Sequence, residues 1–177
     1  MKNIVWYWNV IHYCVYLFFK KLFNSMNYIN PFSYFLKSPT VKNFYAKRGI
    51  NDMQGIVKNV ANNPITGINS IQSGGVMRGL IGFLLFGIFN YSQIFFSKSL
   101  TDWTFENNTN DIIFLACIII PSLLFNYFTL FKNNKYLEYF KVFEGFSDVK
   151  KNKYCWLSFI IILIISLFLI YSFKFLR

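Results

Sequence analysis

His12 is the only histidine in the chain, the one side chain type whose ordinary titration range suits proton transfer near neutral pH. The sequence around it offers little help. Cys14 lies two residues on and falls on a different helical face, which leaves the pair without ligand geometry. Cys14, Cys117 and Cys155 are the three thiols. All sit in apolar stretches without C-x-x-C spacing, the pattern of buried free cysteines. The serines have no base partner except His12, and no G-x-S-x-G elbow is present. "TGINSIQSGG" carries glycines and hydroxyls but lacks the G-K-[ST] ending of a phosphate loop. No catalytic set, metal centre or cofactor is expected from these spacings.

The remaining candidates are amides. Asn9, His12, Asn90, Gln93 and Asn126, with Ser122, Ser158 and Ser166, fall inside stretches that carry no charge at all: residues 3–19, 79–97, 112–131 and 154–173. The bilayer hydrocarbon is about 30 Å thick and a helix rises about 1.5 Å per residue, so about 20 apolar residues cross it. The last three stretches meet that length and predict spans. Residues 154–173 are nearly solid Ile and Leu between aromatic ends, which suits rings at both interfaces. In residues 79–97, Gly79, Gly82 and Gly87 allow close helix approach, without a G-x-x-x-G pair. Pro121 would cost about 3 kcal/mol or more inside a soluble helix. In a span it predicts a kink, with Ser122 and neighbouring helices satisfying the carbonyls freed near Cys117.

Residues 3–19 allow two readings. Asn9, His12, Tyr16 and Lys20 form a polar stripe on one helical face. Such a stripe suits a helix lying in the headgroup plane, and equally a span whose polar face packs inside a bundle. The bulky "KKLFNSMNYINPF" that follows lacks the small residues of a signal-peptide cleavage site.

The charges that these stretches exclude collect elsewhere. The chain has a net charge of +11 with 14% charged residues, against about 25% in soluble domains. Heavy use of Phe, Ile, Asn, Lys and Tyr with little Ala and Arg also resembles the product of an A/T-rich genome. Lys20, Lys21, Lys37, Lys42, Lys47, Arg48 and Lys58 face a single acid, Asp52, in the first connector. The connector of residues 98–111 holds Lys98 against Asp102, Glu106 and Asp111, and residues 132–153 hold six lysines. The positive-inside rule therefore puts the two basic connectors in the cytoplasm and the acidic one outside. An Asn107-Asn108-Thr109 sequon lies on that outer connector and matters only in a secretory eukaryotic setting.

"RGIND" and "KNFYAKRG" interleave basic and aromatic residues, but anionic headgroups explain them more simply than nucleic acid beside predicted spans. Lys20, Lys21, Lys47, Arg48, Lys150, Lys151 and Lys153 are accordingly expected to meet lipid headgroups or a protein partner. Pro31 and Pro39 disfavour helix at the residues before them. A short helix through residues 41–48 is expected to end at Gly49, and Asn51 or Asp52 to cap a second. "NNPITGINSIQSGG" reads as a loop. Residues 135–147 read as a basic amphipathic helix on the inner membrane surface, with Tyr136, Tyr139, Phe140 and Phe143 on its aromatic face.

The expected fold is an all-α polytopic membrane bundle of three spans plus an N-terminal helix that spans or lies in the interface. It divides into a hydrophobic N-terminal helix (residues 1–24), a basic cytoplasmic segment (25–75) and a transmembrane region (76–177). The setting expected is a bacterial inner membrane. Seven acids, none in an uncharged stretch, argue against an intramembrane proton relay. The leading expectation is a non-enzymatic membrane subunit or accessory protein that assembles with itself or with a partner; the sequence specifies no small molecule. The alternatives are a small oligomeric channel or permeabilising effector lined by Asn90, Gln93 and Asn126, and a lipid-modifying enzyme centred on His12.

Overall fold

The computed structural model describes residues 2–95, Thr104 and residues 107–175. Among these residues all regular structure is helical. The α-helices are, in chain order, α1 (Lys2–Ile29), α2 (Pro31–Lys37), α3 (Pro39–Ala46), α4 (Met53–Ala61), α5 (Ile68–Ser92), α6 (Asn108–Asn126), α7 (Lys135–Glu144) and α8 (Asp148–Ser172). A π turn, Tyr127–Phe131, closes α6. The stretches containing α5, α6 and α8 are long and apolar enough to cross a membrane, which makes the chain an all-α integral membrane protein. Residues 96–97 of the second uncharged stretch, and Lys98, Asp102 and Glu106 of the acidic connector, lie outside the described residues.

Local signals place the short helices. Asn30 and Ser38 cap α2 and α3, each followed by a proline at the first helical position, where a missing N–H costs nothing. Gly49 ends the following turn at φ +79°, a backbone conformation that suits glycine. Asp52 caps α4 by accepting from the Gly55 amide at 2.8 Å. A left-handed pair, Asn133 and Asn134, turns the chain from α6 into α7.

The middle of the first helix supplies the centre of the packed core. Residues 8–16 of α1 are all buried, so the helix is enclosed on every side. Trp6 touches Phe143 of α7 and Tyr154 of α8. Trp8 and Asn9 reach Asn126 and Thr129 near the end of α6, and His12 reaches Ser73 near the start of α5. All these contacts fall at one end of the three long helices. At the opposite end α6 and α8 each pack on α5, through Phe86, Phe89 and Phe114 and through Tyr91 and Phe168 respectively. Its polar stripe of Asn9, His12 and Tyr16 thus packs against other helices and their connecting loop along residues 8–16.

Two expectations change for the same reason. The segment read as a loop is one only up to Gly67; from Ile68 it is the start of α5, with Asn69, Ser70, Ser73 and Gly74 buried where that helix leaves the spanning stretch. The aromatic face of α7 is turned inward as well. Tyr136, Phe140 and Phe143 are buried, and their rings pack on His12, Tyr13 and Tyr16 rather than on lipid.

Candidate functional site

Asn9, His12, Ser122 and Asn126 of the uncharged stretches come together where α1 meets α5 and α6. Asn126 is fully buried and joins three helices: its Oδ1 accepts from Trp8 Nε1 at 3.0 Å, and its amide donates to the carbonyls of Met77 and Ser122. Asn9 is also fully buried, donating to the carbonyls of Val5 at 2.7 Å and Thr129 at 3.1 Å. The second bond occupies a carbonyl in the π turn, where α6 is ending and the backbone ladder runs out. Ser122 donates to the Arg78 carbonyl at 2.6 Å. The sequence assigned that hydroxyl to the carbonyls freed by Pro121 within its own helix; in the structure it ties α6 to α5.

His12 sits one turn further along α1, walled by the rings of Phe131, Tyr136 and Phe140. Ser73 Oγ donates to the Ser70 carbonyl at 2.9 Å. A hydroxyl has one hydrogen, so at 3.2 Å it accepts from His12 Nε2–H, and Nδ1 carries the lone pair. Nδ1 is buried with no partner among the described residues. A proton added there would stand in an apolar wall without an acceptor, and burial accordingly pushes the imidazole down to about 4. The ring is neutral and enclosed, which suits packing and hydrogen bonding more than proton transfer.

The seam continues away from His12. Tyr16 donates to the Asn62 carbonyl at 2.5 Å, and Asn69 donates to Asn62 Oδ1 at 2.7 Å. The Pro64 carbonyl receives both Ser70 Oγ, at 2.6 Å, and Tyr136 OH, at 3.1 Å. These bonds fasten the loop between α4 and α5 to α1 and α7. Asn90 is placed apart from this group: it is buried at the other end of the bundle, donating to Ser172 Oγ of α8 at 2.9 Å. Gln93 is buried in the turn after α5. Asn9, His12 and Asn126 are thus brought together, while Asn90 and Gln93 belong to a second place.

The basic candidates lie outside the seam. Lys20 stands over the Tyr16 ring, 5.9 Å from its centroid, and Lys21 is exposed beside it. Lys47 ends α3, and the Arg48 guanidinium stacks over Phe44 at 4.3 Å. Lys150 lies 3.8 Å over Phe146, and Lys151 and Lys153 follow on α8, Lys153 exposed. Sequence reasoning missed Trp8, Ser73, Tyr136 and Ser172 as members of the polar contacts. Only Ser73 carried a usable signal, a small hydroxyl in a run that continues the α5 period.

Among the described residues no three His, Cys, Asp or Glu side chains are grouped to hold a metal ion. Comparison with protein families, with curated proteins and with solved structures finds no match to this chain.

Proposed function

We infer that the protein is a non-catalytic subunit or accessory protein of a membrane assembly, with the α1 end of the bundle facing the cytoplasm. The observation that carries this reading is the thin packing of α2, α3 and α4. No residue of α3 is buried; α2 buries only Leu36 and α4 only Ala61. Helices of seven to nine residues do not persist on propensity alone and depend on packing. Phe32, Tyr34, Phe35, Phe44, Ile56 and Val60 are all exposed on them, beside Lys37, Lys47, Arg48 and Lys58. A partner protein with an apolar, acid-rimmed surface completes that packing.

The buried amides favour this reading over a pore. Asn9, Asn90 and Asn126 each already donate to a neighbour within the chain. In lipid such bonds are worth about 0.6 kcal/mol each on average, enough to set helix contacts. An enzyme built on His12 would need its imidazole to reach a substrate through three aromatic rings. The orientation rests on charge: fourteen of the 18 Lys and Arg lie in or beside the connectors at the α1 end.

A photo-crosslinking amino acid at Phe44 or Ile56, activated in native membranes, tests the assembly. A protein adduct of discrete mass at one or both positions is expected. Adducts to lipid alone at both positions would exclude a partner on this surface.

A further inference from the structure

Between α5 and α6, with Leu169 and Phe173 also in its wall, runs a groove of about 500 Å³ that the described residues do not fill. It exists because two glycines leave the helix surface bare: a Cβ at Gly79 would meet nothing within 4 Å, and one at Gly82 only Ile118, at 3.9 Å. Its floor is apolar, and its rim at the α1 end is formed by Arg78 and Ser122. The Ser122 hydroxyl is engaged with the Arg78 carbonyl. The Arg78 guanidinium is exposed and lies 5.2 Å from the centroid of the Phe131 ring. That contact positions the cation without satisfying its N–H donors, and among the described residues no carboxylate pairs with it.

Arg78 also marks a depth. Before it, α5 packs small polar residues around α1; after it, the uncharged stretch begins at Gly79. A guanidinium at that boundary stands at headgroup level, with apolar groove leading from it into the hydrocarbon. From Arg78 to Phe86 the groove follows α5 for about 12 Å. A phosphodiester accepts the planar fork of an arginine through two oxygens.

We propose that this groove binds one anionic phospholipid, its phosphate on Arg78 and one acyl chain laid over Gly79 and Gly82. The occupant is a lipid rather than a helix of a second copy, because of charge. The uncharged stretches hold no acid, so a second copy seated there would leave the guanidinium without an anion at that depth. The site stands on the groove and its arginine, and holds whether or not α2–α4 dock a partner.

Native mass spectrometry of the detergent-purified full chain tests it, by titration with phosphatidylglycerol or phosphatidylcholine of identical acyl chains. One phosphatidylglycerol is expected to be retained, about tenfold tighter than phosphatidylcholine, whose choline cation offsets the phosphate charge that Arg78 meets. Arg78→Gln, a change at an exposed side chain, should erase that preference, weakening phosphatidylglycerol more than phosphatidylcholine. Ile119→Trp fills the groove from the exposed side of α6 and should weaken both lipids; thermal melting checks that both variants fold. Equal affinity of the unaltered protein for the two lipids overturns the proposal, as does a preference that survives Arg78→Gln. A dimer that Ile119→Trp dissociates also overturns it, because the groove would then seat a second copy.

Discussion

At His12 the chemistry of one side chain reaches the stability of the whole bundle. The neutral ring fits its aromatic wall, donating from Nε2 to Ser73, and the protonated ring does not. Its native value of about 4 lies below the ordinary 6.5, so between those values the unfolded chain binds a proton that the folded chain refuses. The stabilisation is fully present above about pH 6.5 and is lost progressively as pH falls toward 4. Over that window the protein should lose on the order of 3 kcal/mol, which thermal melting in detergent across pH 4–8 will register. His12→Gln keeps a donor toward Ser73 and has nothing to titrate, so its melting temperature should change much less between pH 7 and pH 4. An equally steep fall in that variant would assign the effect to other groups.

Among the elements, α5 does two jobs along its length, and a single residue type separates them. Its first turns pack around α1 through Asn69, Ser70 and Ser73, and its outer turns pack on α8. At Gly87 a Cβ would come within 2.4 Å of the Phe168 ring, so the two helices meet at this depth only because the side chain is absent. Gly87→Val should therefore destabilise by about 1–3 kcal/mol through overpacking. Phe168→Ala in the same chain should return part of the loss, and a thermal double-mutant cycle measures the coupling. Purely additive losses would mean that the glycine serves backbone conformation alone. Gly79 and Gly82, alike in sequence, have open space in front of them and make no such helix contact.

That contrast marks what was legible in the residues. Uncharged length alone gave the three spanning helices, and Gly49 and Asp52 gave α3 and α4, because these depend on local chemistry; α2, which starts at Pro31, was not expected. The place of α1 was not legible. Its stripe of Asn9, His12 and Tyr16 reads the same whether it faces water, headgroups or other helices, and only the buried partners decide. The aromatic face of α7 carried the same ambiguity: rings that suit a membrane interface also suit a protein core. Among the amides, composition picked out Asn126 but not its partner Trp8, since 118 residues separate them in the chain.

For the whole molecule, the proposed orientation rests on charge asymmetry. The α1 end gathers Lys20, Lys21, the basic connector of α2–α4, the lysines of α7 and the first turns of α8, while Asn107 and Asp111 begin α6 at the other end. Lys and Arg near the ends of spans are retained on the cytoplasmic side, and acids count for little. Single cysteines in a background lacking Cys14, Cys117 and Cys155 read this directly. Asn107 is exposed just before α6, and Asn51 is exposed in the turn before α4. Asn134 is a poorer reporter, because its left-handed backbone at φ +53° disfavours a cysteine. A membrane-impermeant maleimide added to intact cells should modify Asn107→Cys, and should reach Asn51→Cys only after permeabilisation. The reverse pattern would invert the molecule and turn α2–α4 outward. Modification of both in intact cells would place the two connectors on one side, which three membrane crossings by α5, α6 and α8 do not allow.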